Sequence, residues 1–178
     1  MSDDIASIQR AIRDVPNFPK PGIVFKDITP LLANGPLFAK TIDLLAERYA
    51  GQKIDTVLGI ESRGFIVGAA LAYKLGAGFS VVRKPGKLPY DTHSASYELE
   101  YGTDTLEIHV DALRPNARVI IADDLIATGG TAMATAELVS KLGGTVIECA
   151  FIIELAFLKG RDKLKKFGVF SLIQYDSD

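Results

Sequence analysis

The sequence predicts an α/β domain, a mainly parallel twisted sheet flanked by helices, on three observations. Short runs rich in Val, Ile and Phe alternate with segments of helical period, the pattern of strand-helix-strand units. Two of those runs end in glycine-bearing polar turns that open directly into helices, at 59–65 and at 123–131. A chain of 178 residues, 48% of them hydrophobic, supplies one compact core, so the whole of 1–178 is read as one domain.

Taken in order, 5–13 carries Ile5, Ile8 and Ile12 at helical spacing. From Val15 to Pro30 the prolines Pro16, Pro19, Pro21 and Pro30 surround Gly22, and each proline removes a backbone donor, so an extended segment without regular structure is expected. Leu37, Ile42, Leu45 and Tyr49 give 37–49 one broad apolar helical face. A strand at 56–60, a helix at 65–75 and a strand at 79–82 follow. From Arg83 to Ser96 no apolar order is visible, and a polar connection of that length in a compact domain is a lid, a binding loop or disorder. Leu106, Ile108 and Val110 alternate and predict the strand that returns from it. Strands at 119–122, 146–153 and 170–173 and a helix at 131–142 complete the core.

The formal charge of −2 gives no general attraction for nucleic acid or an anionic membrane. An anionic ligand must therefore meet local cations. The single Cys149, inside the apolar run 146–153, has no internal disulfide partner and reads as a buried thiol in a reducing compartment. The opening residues Met1 to Asp4 lack a basic region and a signal-length apolar core, and no stretch is long and uncharged enough for a membrane helix. A cytoplasmic protein is expected. His93 and His109 lie far apart and receive no catalytic role, and the basic stretch 159–166 reads as a solvated helix face.

The most informative segment is 118–131, an apolar strand ending on Asp123 and Asp124 and turning through a Thr/Gly-rich loop into a helix. A helix start near Gly130 presents N–H groups without intrahelical partners, with the partial positive charge of the macrodipole. A phosphate monoester fits there. Gly129 and Gly130 let the backbone approach the anion closely, and the hydroxyls of Thr128 and Thr131 can donate to it. Asp123 and Asp124 can accept from sugar hydroxyls or hold the ordered waters of a magnesium ion. The chain has no Gly-x-x-x-x-Gly-Lys-Ser/Thr and no Gly-x-Gly-x-x-Gly opening a first helix, which excludes the usual triphosphate and dinucleotide loops.

Two further motifs suit phosphate. Gly59-Ile-Glu-Ser-Arg-Gly-Phe65 places the planar donor fork of Arg63 at another strand-to-helix turn, beside Glu61, Ser62 and Gly64. Arg83-Lys-Pro-Gly-Lys-Leu-Pro89 brings three cations to the start of the long connection.

The strand, paired Asp and Ala-Thr-Gly-Gly-Thr turn of 118–131 resemble the phosphoribosyl-pyrophosphate motif of the type I phosphoribosyltransferases. With the proline-rich 18–30, Arg-Lys-Pro-Gly-Lys-Leu-Pro and Tyr97-Glu-Leu-Glu-Tyr-Gly102 in order, the resemblance extends nearly end to end and narrows to the adenine-using members of that family. It implies their fold, with 1–33 as a small N-terminal hood and 83–104 as a flexible catalytic lid. It implies transfer of ribose 5-phosphate from phosphoribosyl pyrophosphate to N9 of adenine, giving AMP and pyrophosphate, with magnesium held mainly by substrate and waters and no dedicated protein cage. That reaction belongs to purine salvage. A two-fold dimer is implied as well, with Arg83 reaching the neighbouring site, and a non-proline cis peptide is expected in the loop of Arg63.

Carried onto this sequence, the resemblance implies that the 5′-phosphate sits on Ala127, Thr128, Gly129, Gly130 and Thr131, with Asp123 and Asp124 at the ribose. Pyrophosphate falls to Glu61, Ser62, Arg63, Arg83, Lys87 and Tyr101. Phe25 stacks on the purine between apolar walls at Leu125 and Leu155, and the backbone of Val24 and Lys26 reads its edge. Glu100 becomes the acid/base residue. A regulatory protein of the same fold would want an added nucleic-acid-binding segment or a basic face, and neither is evident.

Overall fold

The computed structural model describes residues 3–98 and 102–177. Helix α1 (Asp3–Arg10) buries Ile8 and stops short of Arg13. Strands β1 (Arg13–Pro16) and β2 (Val24–Asp27) then pair antiparallel, and a short α2 (Thr29–Ala33) follows. This corrects the expectation of an irregular 15–30. Pro16 is tolerated at the end of a two-stranded ribbon and Pro30 in the first turn of α2, both positions where a missing N–H costs little. Helix α3 (Gly35–Glu47) starts on Asn34, whose side chain accepts from Leu37 N at 3.2 Å, a standard cap.

The core is a five-stranded sheet of β3 (Thr56–Ile60), β4 (Gly78–Val82), β7 (Arg118–Ile126), β8 (Thr145–Leu155) and β9 (Val169–Tyr175). Its order is β4-β3-β7-β8-β9 and every neighbouring pair is parallel. Helix α4 (Gly64–Leu75) links β3 to β4 and ends on Gly76 in the left-handed region, φ 64. Helix α5 (Gly130–Lys141) links β7 to β8, and a 3-10 turn (Ala156–Leu158) with a one-turn α6 (Gly160–Lys163) links β8 to β9. Side chains alternate across the sheet with the strand period. Val57, Ile120 and Ile152 join Leu45, Val67 and Leu71 from α3 and α4 on one face, while Leu58, Ile121 and Phe151 join Leu138 and Val139 from α5 on the other. Each fully buried Leu or Ile contributes about 1.5–3 kcal/mol relative to exposure.

The segment 83–96 also departs from its expected irregularity. Its second half forms β5 (Thr92–Glu98), paired antiparallel with β6 (Thr103–His109). Only Ala95 of β5 is fully buried, so Thr92, Ser94 and Ser96 on its open face, together with an exposed His93, hide the strand from a search for apolar runs. Strands β7 and β8 outlast their apolar runs, placing Asp123, Asp124 and Glu154 inside the ladder.

Candidate active site

All five core strands point the same way, so the turns after β3, β4, β7 and β8 gather at one edge of the sheet. The chain leaves β3 for β4 on one side and returns to β7 on the other, making the β3–β7 boundary the switch point where such sheets open a crevice. The three motifs all fall at this edge.

At the end of β7, Gly129 adopts φ +76 as the N-cap of α5 and supplies no side-chain cap, leaving the first helical N–H groups for another acceptor. A cavity of about 200 Å³ opens there, lined by Asp123, Leu125, Ala127, Thr128, Gly129 and Thr131. Gly130 is buried under Tyr97 of β5, and an added Cβ would lie 3.0 Å from that ring. The β5–β6 hairpin thus rests on the mouth of the phosphate turn, a contact the sequence did not suggest.

The two aspartates differ. Asp124 is 3% exposed, and its Oδ2 lies 2.9 Å from Arg63 Nε without accepting a hydrogen bond. Asp123 Oδ1 accepts from Asp124 N at 2.9 Å. Burial, and then the facing Asp124 carboxylate, push the Asp123 carboxyl well above its usual range. Such a pair calls for a cation or hydroxyl donors. Arg63 also sits 4.8 Å from the centre of the Phe25 ring, within cation–π range, so one guanidinium joins the strand after Gly59, the β7 carboxylates and the hood.

Glu61 occupies the centre of the second cationic cluster. Its carboxylate accepts from Arg83 Nε at 3.3 Å, from Lys84 N at 3.0 Å and from Lys87 Nζ. Burial pushes this carboxyl up, but those three donors outweigh it and hold it below the usual range. Glu61 therefore stands as an internal anion on the cations expected to meet pyrophosphate. Ser62 is exposed beside it, and the Glu61–Ser62 peptide is cis, as the resemblance implied.

In the hood, the Phe18 ring meets Phe25 edge-on at 5.2 Å between centroids. Lys26 turns its side chain the other way: it is 4% exposed, with Nζ 2.9 Å from Asp14 and 4.3 Å from the centre of the Tyr175 ring. Pro16 has no N–H to exchange, so its pair with Val24 is of the non-hydrogen-bonded kind, and alternation makes Asp14–Lys26 the same kind. The main-chain groups of Val24 and Lys26 consequently face the open edge of β2. Leu125 and Leu155 are half-buried against one core cluster, and Leu125 lines the phosphate cavity. The expectations for Glu100 and Tyr101 lie outside the described residues. Cys149 is buried, which pushes its thiol up to about 12, and it plays no part here.

Comparison with known proteins bears on this arrangement. The phosphoribosyl transferase domain family matches residues 27–177. The adenine phosphoribosyltransferase of Syntrophotalea carbinolica is 61% identical over 168 residues, covering 94% of this chain and 98% of that protein. The crystal structure of adenine phosphoribosyltransferase from Rhodothermus marinus superposes with a TM-score of 0.94 at 53% identity, covering 98% of this chain and 100% of that one. The Saccharomyces cerevisiae enzyme, solved with an imino-altritol bisphosphate and adenine, gives a TM-score of 0.92 at 46% identity, covering 97% of this chain and 100% of that one.

Proposed function

The chain belongs to the phosphoribosyl transferase domain family, and we propose that it is the enzyme that joins adenine to 5-phosphoribosyl 1-pyrophosphate, forming AMP and pyrophosphate in purine salvage. The observation that carries this reading is the position of Arg63, which touches the ribose-side Asp124 and the aromatic ring of Phe25 at once. A donor sugar and a flat base bound at those places would meet across a single side chain.

The 5′-phosphate takes the free N–H groups and hydroxyls of Ala127, Thr128, Gly129, Gly130 and Thr131, and the ribose hydroxyls donate to Asp123 and Asp124. As the bond from the sugar carbon to pyrophosphate breaks, its electrons leave with the anion. Arg63, Arg83, Lys87 and the Tyr101 hydroxyl stabilise that charge, while Glu61 and Ser62 shape the turn that holds them. Adenine N9 supplies the electron pair for the new bond, and Glu100 takes the proton that adenine loses. Phe25 offers the base a flat face between Leu125 and Leu155. The outward main chain of Val24 and Lys26 can give adenine one carbonyl for its amine and one N–H for its ring nitrogen. A 6-oxopurine would face acceptor with acceptor.

The oxygen-only, doubly acidic pair of Asp123 and Asp124, with Asp124 Oδ2 buried, ion-paired to Arg63 and accepting no hydrogen bond, fits a hard divalent cation or its waters. When bound, magnesium supplies neutralisation of the pyrophosphate charge. We place residues 1–33 as hood and 83–104 as lid within one domain. No helix among the described residues is long and apolar enough to cross a membrane, and the buried free thiol suits the cytoplasm. A homodimer is supported by exposed Ile66 and Tyr73, seven residues apart on one face of α4.

Incubating the protein with phosphoribosyl pyrophosphate, magnesium and each purine in turn, while following pyrophosphate release, tests the assignment. Release with adenine alone supports it. Release with hypoxanthine or guanine and not adenine removes it.

A further inference from the structure

The turn after β8 reaches across to the phosphate loop at one place. A Cβ on Gly160 would clash with the Ala127 carbonyl oxygen and lie 2.9 Å from Gly129 N, and a Cβ on Gly129 would lie 2.5 Å from Gly160 O. Two backbones therefore touch with no side chain between them, and the conformation of Ala127–Gly129 depends on where Gly160 stands. Gly160 has no side chain to anchor it, and it follows Lys159 in the left-handed region at φ 55.

Its neighbour provides the anchor. Arg161 Nε donates to Glu154 Oε1 at 2.9 Å and Nη2 to Glu154 Oε2 at 2.5 Å, a two-pronged pairing, while Nη1 donates to Val169 O at 2.6 Å. Glu154 is 4% exposed, and its Oε2 also accepts from Ser171 Oγ at 2.6 Å and Gln174 Nε2 at 3.2 Å. The carboxylate belongs to β8, which is tied to β7 and β9 at Ile126 and Gln174. The turn is thus fastened to the rigid sheet by this guanidinium on one side of Gly160, and further on by Leu164, which is buried in the core. The guanidinium side chain is 43% exposed, but four donors converging on one buried carboxylate exceed what closing a short turn requires.

We infer that Arg161 and Glu154 are positioning residues for the reaction: by fixing Gly160 against Ala127–Gly129 they hold the phosphate loop open in the shape that receives the 5′-phosphate. This rests on the assignment of that loop given above. Neither residue lines the phosphate cavity. Loosening the pair should weaken ground state and transition state alike, raising KM for phosphoribosyl pyrophosphate with kcat kept. The base subsite, whose Phe25 belongs to the hood and whose Leu155 is held in the β8–β9 ladder opposite Tyr175, should respond little.

The test compares wild type, Arg161→Lys, and the double variant Glu154→Gln with Arg161→Met, which leaves no buried unpaired charge to unfold the protein. Circular dichroism establishes folding, kinetics gives KM for each substrate, and calorimetry gives AMP affinity. In the folded double variant the expected result is KM for phosphoribosyl pyrophosphate and Kd for AMP both raised about tenfold or more, with adenine KM within about twofold, and in Arg161→Lys a partial effect because one prong survives. Unchanged phosphoribosyl pyrophosphate KM in a folded double variant, or equal loss for both substrates, overturns the inference. A wild-type AMP complex with its phosphoryl group in the loop, alongside that outcome, overturns the positioning role alone. A phosphoryl group bound elsewhere overturns the loop assignment itself.

Discussion

Arg63 Nε lies 2.9 Å from Asp124 Oδ2 while the same guanidinium rests 4.8 Å from the centre of the Phe25 ring. One cation therefore spans the places assigned to sugar, leaving group and base. Arg63→Ala should lower kcat/KM by about 10²–10³-fold, the scale for losing one donor to a developing anion. Arg63→Lys should recover part of it, since the charge remains and the fork is lost. Steady-state kinetics with both substrates checks this, and a variant within threefold of wild type would remove Arg63 from the leaving-group site.

Phe25 presents its ring to Arg63 on one side and to the edge of Phe18 on another. Phe25→Ala should raise adenine KM about 2–10-fold, the equivalent of the 0.5–1.5 kcal/mol of an aromatic pair, and leave phosphoribosyl pyrophosphate KM within about twofold. An equal rise in both constants would mean that Phe25 supports the fold and not the base.

Gly129 combines φ +76 with the Gly160 carbonyl 2.5 Å from where a Cβ would stand. Gly143 shares a positive φ, +72, with nothing within 4 Å. Gly129→Ala should cost about tenfold or more in AMP affinity, because the loop must move, whereas Gly143→Ala should carry only the backbone strain, about 1 kcal/mol of stability. Calorimetric titration with AMP and thermal melts separate the two. Equal AMP affinity in both variants would sink the argument.

The raised carboxyl of Asp123 has a signed consequence. A carboxyl whose folded pKa exceeds its unfolded value, about 3.9, binds more protons in the folded state, so its contribution to stability falls as pH rises through that window and stays unfavourable above it. Asp123→Asn should raise the melting temperature of the ligand-free protein at pH 7.5 and raise it less near pH 4, while lowering activity. Melts across pH check this, and a destabilised Asp123→Asn at pH 7.5 would contradict it.

Glu98 and Glu100 are two residues apart, with Glu98 exposed at the end of β5. Glu100→Ala should lose about 10²–10⁴-fold in kcat at saturating substrates, the usual range for a positioned acid/base group, and Glu98→Ala little. The reverse pattern would move the assignment to Glu98.

The sheet was legible in the sequence because its strands are covered on both faces, so Thr56–Ile60 and Val119–Ala122 appear as unbroken apolar runs. Of the hairpin strands only β6 was, through the alternation of Leu106 and Ile108. β1, β2 and β5 expose one face each, and prolines or Ser and Thr residues break their pattern. Within the site, the phosphate loop could be read because Asp123 to Thr131 are contiguous and their chemistry follows from a strand meeting a helix. Glu61 as the anion on Arg83 and Lys87, Tyr97 over Gly130, and Gly160 against Gly129 could not, because each pairs residues more than twenty positions apart that only the fold brings together.

A crystal structure of the protein with AMP tests the central claim most directly. The account predicts the phosphoryl group on the N–H groups and hydroxyls of Ala127 to Thr131, the ribose at Asp123 and Asp124, and the purine on Phe25 with Arg63 displaced from that ring. A phosphoryl group lodged away from Thr128 and Thr131 would contradict it.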